Sequence, residues 1–280
     1  MAALKTGTAG WSPDVQEFVP TDVVPDALIL QTSTVAGSVE GDAVAVRVPF
    51  VDDADAAIVA EGATISESDP DLNEAVVFTV KVAQLVRLSY EQFSQDGTAA
   101  ELSRSVSRAV TVKANQVYLT QAAPTAPATY PPAGLLNVSG IVPGGAVDGS
   151  LDELIDLVAE LEGNGATPSA IVCDPVAWAR LRKLKTATDS NASLIGAGTN
   201  DAQRLLLDLP VLTTPAMTAG SGVVVDKSAI VSAVGQVRVA QSEQAYFSAD
   251  SMAVRCTWRF GAAVMHPDRI GKFTVTDPDA

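Results

Sequence analysis

Valine alternation is the strongest pattern along the chain. Residues 43–50 read Ala-Val-Ala-Val-Arg-Val-Pro-Phe, and residues 75–88 read Ala-Val-Val-Phe-Thr-Val-Lys-Val-Ala-Gln-Leu-Val-Arg-Leu. Period two in such segments predicts strands with two distinct faces. Between them lie Asp52, Asp53, Asp55, Glu61, Glu67, Asp69, Asp71 and Glu74, with no lysine or arginine from residue 51 to residue 74. Burying an unpaired carboxylate is costly, so this stretch is expected to project into water or onto another molecule. A long helix follows. Thr98-x-x-Glu101 is a capping box, and no proline or glycine occurs from there to Thr120. Leu102, Val106, Ala109, Val110, Lys113 and Val117 recur at three- and four-residue spacing. This predicts one amphipathic helix of about 20 residues, roughly 30 Å long. A projecting ribbon that feeds a long helix suits a subunit that reaches its neighbours.

The remaining pattern divides the chain. Residues 1–24 mix Gly, Pro, Thr and apolar residues without period, as a terminal arm that docks would. Residues 122–134 are a proline-rich connector and mark a domain boundary. Ser150-x-x-Glu153 then opens a helix with Leu151, Leu154, Ile155, Val158 and Leu161 on its apolar face, ended by Gly163-Asn-Gly165. Residues 169–173 read as a buried strand. Asp174-Pro175 is an N-cap followed by proline at the first helical position of a helix burying Trp178, Leu181 and Leu184. Residues 204–212 and 222–226 are further strands, so helix and strand alternate through the middle of the chain. From residue 236 onward only strands are predicted, over 237–240, 253–265 and 270–275. These are expected to pair with the first third. The fold class is then α+β, with an arm over 1–27, a discontinuous domain over 28–134 and 236–280, and an inserted α/β domain over 135–235. The projecting ribbon spans 42–85.

Composition narrows the function. The chain has 280 residues, 47% hydrophobic and 18% charged, with a formal charge of −15. That balance opposes tight binding to a nucleic-acid backbone, which needs clustered Lys and Arg. Cys173 and Cys256 sit in apolar strand-like runs and read as buried thiols, with no disulfide framework. The first residues carry no hydrophobic signal region, and Lys81 and Gln84 interrupt the best candidate membrane span. His266 is the single histidine, so any Ser-His-Asp or Cys-His arrangement would have to use it. Neither a G-x-S-x-G elbow nor zinc-ligand spacing occurs. Ile195-Gly-Ala-Gly-Thr-Asn-Asp201 starts like a nucleotide-binding glycine motif, but Asp201 stands where the third glycine belongs. No enzyme activity, cofactor or metal is expected. Arg180, Arg182, Lys183 and Lys185 cluster on the second inserted helix, and Arg104 and Arg108 lie one turn apart on the long one. Together with the acidic stretch they are the candidate contacts between subunits.

Several stretches, taken in order, resemble the major capsid proteins of tailed double-stranded DNA bacteriophages. Glu61-Gly-Ala with Phe78-Thr-Val-Lys-Val-Ala-Gln-Leu-Val-Arg-Leu-Ser-Tyr-Glu is similar to that family's extended loop and its exit into the spine helix. Val117-Tyr-Leu-Thr, the Pro/Gly linker and Gly134-Leu-Leu-Asn resemble the helix end and the segment after it. Ile171-Val-Cys-Asp-Pro-Val-Ala-Trp-Ala-Arg-Leu, Leu207-Asp-Leu-Pro-Val-Leu and Arg255-Cys-Thr-Trp-Arg-Phe-Gly-Ala-Ala-Val resemble later strands and a helix of the family.

The resemblance implies the phage major capsid fold: N-terminal arm, extended β-hairpin loop, peripheral domain with a long spine helix, and inserted axial domain. It implies a shell of hexamers and pentamers enclosing double-stranded DNA without specific binding. It also places the protein in the virion, assembled in the host cytoplasm, with no membrane involved. An encapsulin-like compartment is the alternative. The extended loop would lie across an adjacent subunit, and residues 192–201 would lie near the five- and six-fold axes. Some members weld their shell through a loop lysine, an asparagine and a catalytic glutamate. Here the loop tip has no lysine, and Asp250 and Thr257 occupy the other two places, so no crosslink is expected. The short aperiodic arm implies a separate scaffolding protein. A portal and a decoration protein complete the expected partners.

Overall fold

The alternating run over residues 75–88 forms two strands, not one. In the computed structural model, which describes residues 15–51, 72–89, 91, 98–186, 190, 192–195 and 204–277, the chain begins with β1 (Val15–Phe18), α1 (Pro20–Val23), α2 (Leu28–Thr32) and β2 (Thr34–Val39). β3 (Ala45–Val51) and β4 (Leu72–Phe78) pair antiparallel as a two-stranded ribbon, with Val46 opposite Val77. β5 (Val80–Ser89) continues from β4 but joins a different sheet. Thr79 is the break. Its amide donates to the Val44 carbonyl at 2.8 Å, and its hydroxyl donates to the Ala43 carbonyl at 2.5 Å. Arg259 Nη1 donates to that same hydroxyl at 3.1 Å. Period two is preserved on both sides of the break, so the hydrophobic pattern alone could not reveal it.

The long helix α3 (Thr98–Thr120) forms as expected, and later come β6 (Val142–Val147), α4 (Asp152–Gly163), β7 (Ala170–Cys173), α5 (Pro175–Lys183), β8 (Leu205–Leu206) and β9 (Leu209–Thr213). β10 (Ser221–Val225), β11 (Ile230–Gly235), β12 (Val237–Tyr246), β13 (Ser251–Val264) and β14 (Gly271–Val275) complete the chain. The first sheet runs β1-β12-β13-β11-β2, with β5 on the other side of β13. Its inner face packs on α3. Trp258 is fully buried there, donates Nε1–H to the Gly235 carbonyl at 3.0 Å and lies 4.6 Å from the Phe260 ring. Burying an indole removes roughly 150–250 Å² from water, worth about 4–6 kcal/mol gross at about 25 cal/mol/Å². The buried face of α3 is Val106, Val110, Ala114, Val117 and Tyr118. Ala109 and Lys113, expected on it, are exposed; the face rotates because α2 also docks on this helix. Asn115 Oδ1 accepts from the Leu28 amide at 2.9 Å, the Thr32 and Tyr118 hydroxyls meet at 3.0 Å, and the Ser107 hydroxyl donates to the Val23 carbonyl. Val24 and Ala27, at the end of the expected arm, are therefore fully buried core residues.

The second sheet runs β6-β14-β10-β7-β9-β8. Here the pairing departs from the expected division at residues 235 and 236. β14, expected with the other late strands, pairs parallel with β6 and antiparallel with β10. β11, expected inside the insertion, lies in the first sheet between β13 and β2. Strand partners are chosen by register and burial over long separations, which a local pattern does not encode. Both faces of the second sheet are buried. Val172, Val223 and Val225 join the core shared with α3, while Ile171, Cys173 and Val224 face Leu154, Leu157, Leu161 and Leu181 of α4 and α5.

Two local expectations also shift. Helix α4 begins at Asp152 with Leu151, not Ser150, at its N-cap position; the Ser150 hydroxyl donates to Asp152 Oδ2 at 2.9 Å and accepts from the Asp152 amide at 3.4 Å, and Leu157 is buried where Ile155 was expected. Residues 204–212 are a hairpin, because Leu207 and Asp208 adopt φ of 52° and 62° and reverse the chain. The Asp174 cap does form, accepting from the Val176 amide at 2.8 Å.

Candidate functional site

The β3–β4 ribbon flanks the acidic stretch in sequence. Val48 and Val77 seat the ribbon on Val39, Val231 and Ala233 of the first sheet. Gly37 leaves room for this seat, since a Cβ there would lie 3.0 Å from a Val48 methyl. Outward on the ribbon, Arg47 pairs with Glu74 at 3.1 Å, and both side chains are largely exposed. Asp52, Asp53, Asp55, Glu61, Glu67, Asp69 and Asp71 lie outside the described residues.

The basic candidates occupy two helices. Arg104 pairs with Glu101 one turn earlier at 2.8 Å, and Arg108 is exposed beside it on α3. Arg180 turns inward, donating to the Val275 carbonyl at 2.8 Å and to Asp277 at 3.4 Å, so it ties α5 to the end of β14. Arg182, Lys183 and Lys185 are exposed at the end of α5. α3 packs in the core of the first sheet and α5 in that of the second, so these residues form two patches, not one.

The structure assembles a further charged surface that sequence reasoning did not single out. On the outer face of the first sheet, Lys81 stands opposite Arg259, and Arg238 opposite Thr257. Asp42 joins the first pair, 3.2 Å from Lys81 and 3.6 Å from Arg259. Lys81, donating to this carboxylate, holds Asp42 below the usual carboxylate range. Glu17 of β1 pairs with Arg238 at 2.8 Å. These residues line a polar cleft of about 290 Å³ at the root of the ribbon. Farther along the same face come Leu85, Arg255 and Arg87, the last lying 4.9 Å over the Tyr246 ring. The signal was present as Lys81-x-Ala83-x-Leu85-x-Arg87 and Arg255-x-Thr257-x-Arg259, each with period two. Only the pairing of β5 with β13 shows that the two rows lie side by side.

Burial, with the neighbouring Asp174 carboxylate adding to it, pushes the Cys173 thiol up to about 12, and burial raises Cys256 as well. Neither is poised as a nucleophile. No group of His, Cys, Asp and Glu among the described residues is arranged to hold a metal ion. Residues 196–201 of the glycine-containing loop lie outside the described residues.

Comparison with known proteins supplies the relatives. The model of the phage capsid family matches residues 16–275. No curated protein sequence matches the chain. Among solved structures, a chain of Microbacterium phage Oxtober96 aligns with a TM-score of 0.68 at 14% identity, covering 98% of this chain and 96% of that one. A chain of Gordonia phage Cozz aligns with a TM-score of 0.66 at 14% identity, covering 98% and 91%. The capsid of a native GTA particle aligns with a TM-score of 0.64 at 16% identity, covering 90% of each chain. At such identities the likeness is one of fold.

Proposed function

The chain belongs to the phage capsid family, and from that premise we propose that it is the major capsid protein of a tailed phage. Copies associate into hexamers and pentamers, and these close into an icosahedral shell around double-stranded DNA. The observation that carries the reading is the family match over residues 16–275, on a chain that aligns with phage chains over nearly its full length. The encapsulin-like alternative is weaker, because the matching family model is that of phage capsids.

The architecture suits repeated association. One chain must make the same few contacts many times in a closed symmetric array. Each contact can be modest, because every copy is held by several neighbours at once. The ribbon, seated through Val48 and Val77, is the element that would reach an adjacent copy, and residues 52–71 join its two strands in sequence. There the acidic stretch meets basic groups. Arg108, Arg182, Lys183 and Lys185 are the exposed candidates for this, whereas Arg180 turns inward to Val275 and Asp277. The axial region lies near the five- and six-fold axes. A separate scaffolding protein, a portal and a decoration protein are the expected partners, with assembly in the host cytoplasm. DNA is enclosed rather than gripped, consistent with a formal charge of −15.

The test is electron microscopy of the full chain, expressed alone and together with the proposed scaffolding protein. Closed shells, or isolated five- and six-fold rings, are expected. Purified particles should release a band at the 28.8 kDa of the single chain in denaturing gels, since no welded shell is proposed. A chain that stays monomeric in the presence of the scaffold would refute the reading.

A further inference from the structure

Asn164-Gly165 is the one Asn-Gly pair in the chain. The fold has a use for both residues. Helix α4 ends at Gly163, and the chain turns through Gly165 at a φ of 79°, a left-handed conformation that glycine adopts without strain. The Gly165 amide donates to the Glu162 carbonyl at 2.9 Å, and the Ala166 amide donates to the Leu161 carbonyl at 3.0 Å, so the last turn of the helix is closed. Asn164 ties that turn to a distant part of the chain. Its Nδ2 donates to the Asp268 carbonyl at 2.9 Å, in the short turn Pro267–Arg269 that leads into β14.

The same pair is chemically labile. A glycine has no side chain to hinder its nitrogen, which can reach the side-chain amide carbon of a preceding asparagine. The Gly165 nitrogen then bonds to Asn164 Cγ and gives up its proton, the Cγ–Nδ2 bond breaks, and ammonia leaves. Water opens the resulting five-membered ring at one carbonyl or the other, which leaves aspartate or isoaspartate. Water is the only co-reactant, and Asn164 and Gly165 are both exposed to it. The native turn opposes the first step in three ways. The Gly165 N–H is committed to Glu162, the Asn164 side chain is committed to Asp268, and a ψ of 6° at Asn164 swings the Gly165 nitrogen out of line with Cγ. Closing the ring means rotating about that bond, and the two hydrogen bonds break when it rotates.

We infer that Asn164 is a site of covalent modification, converted to aspartate and isoaspartate when the end of α4 opens, and that its hydrogen bond to Asp268 is the catch that holds the site shut. Helix ends open locally while the rest of a fold stays intact, so conversion does not need global unfolding. It does not reverse. A carboxylate cannot donate to the Asp268 carbonyl, and isoaspartate lengthens the main chain by one methylene group, so the closed helix end is not rebuilt. Each opening long enough for ring closure thus leaves a permanent mark on the chain, independent of assembly.

The purified full chain, incubated at mildly alkaline pH in buffer and in urea beyond its unfolding transition, tests this. Peptide mass spectrometry follows residue 164 from amide to acid, and an isoaspartyl methyltransferase counts the isoaspartate. Each of the two hydrogen bonds lowers the open fraction by about two- to tenfold, so conversion in buffer should be slower than in urea by about tenfold or more. Asn164→Gln, which would have to close a larger ring, should stay unconverted at residue 164 in both. Leu161 and Leu184 are buried in the same core, but only Leu161 belongs to the last turn of α4. Leu161→Ala should therefore speed conversion in buffer by about threefold or more, while Leu184→Ala should stay within about twofold of wild type. Circular dichroism confirms that both variants fold, and the wild-type comparison between buffer and urea stands without them. Equal rates in buffer and urea, or no conversion in urea, would overturn the inference. Equal acceleration by the two leucine variants would overturn it too, because the opening would then be global.

Discussion

Replacing Gly261 with alanine tests the crossing between ribbon and sheet directly. Gly261 lies on β13 opposite Ala233. A Cβ added there would sit 2.9 Å from the Phe78 carbonyl carbon and 3.0 Å from Thr79 Cα, with the Phe78 oxygen nearer still. All three are main-chain atoms, so no rotamer change relieves the clash. The junction itself is anchored on both sides, through Val44, Ala43 and Arg259. Relief requires lifting the β4–β5 junction off β13 and stretching those bonds. Overpacking costs about 1–3 kcal/mol, and weakening one or two hydrogen bonds about 1 kcal/mol each, for a total near 3–4 kcal/mol. At about 2.1 cal/mol/K per residue, a chain of this length unfolds with an entropy near 0.6 kcal/mol/K, so Tm should fall by roughly 5–7 °C. Differential scanning calorimetry of the unassembled chain reads this. Gly163→Ala is the control: nothing lies within 4 Å of its added Cβ, and its Tm should stay level or rise by about 1–2 °C. A Gly261→Ala Tm within about 1 °C of wild type would refute the close crossing, and with it the account of why the alternating run divides at Thr79.

Three further outcomes follow from the same geometry. Asn115→Leu leaves the buried Leu28 amide without its acceptor and should cost about 1–3 kcal/mol, seen as faster limited proteolysis before Thr32. Asp208→Gly relieves a left-handed residue at an exposed turn and should raise stability by about 0.5–1 kcal/mol in urea titration. The Cys173 thiol, held near 12 from an ordinary 9.0, should resist alkylation at pH 8 until the chain unfolds. Its folded value is raised, so the neutral thiol's contribution is complete below about pH 9 and is lost as pH climbs toward 12. Thermal melts at pH 8 and pH 10.5 should therefore differ between wild type and Cys173→Ala.

Much of the architecture was legible because the pattern was local. Helix α3 needed only its capping box, its spacing and the absence of proline and glycine from residue 98 to residue 120. The N-cap of α5 needed only Asp174-Pro175. The acidic composition of residues 52–71 needed only a count of charges. What failed locally failed through neighbours: the helix expected to be capped by Ser150 starts one residue later, with Leu151 at its N-cap position, and Leu207 and Asp208 turned the chain inside an apolar run.

By itself the sequence determined which segments could be strands and which a long helix, and that one stretch must stay in water or meet another molecule. These follow from periodicity and from the cost of burying charge, which act over a few residues. The tertiary structure alone decided that β14 crosses into the second sheet, that β11 returns to the first, and that the ribbon parts from β5 at Thr79. It also decided that Arg87 and Arg255 share one exposed face. These depend on which strand lies beside which, across separations of more than a hundred residues. Two alternating segments carry no mark of their partner; register, close approach at Gly261 and packing around Trp258 select it.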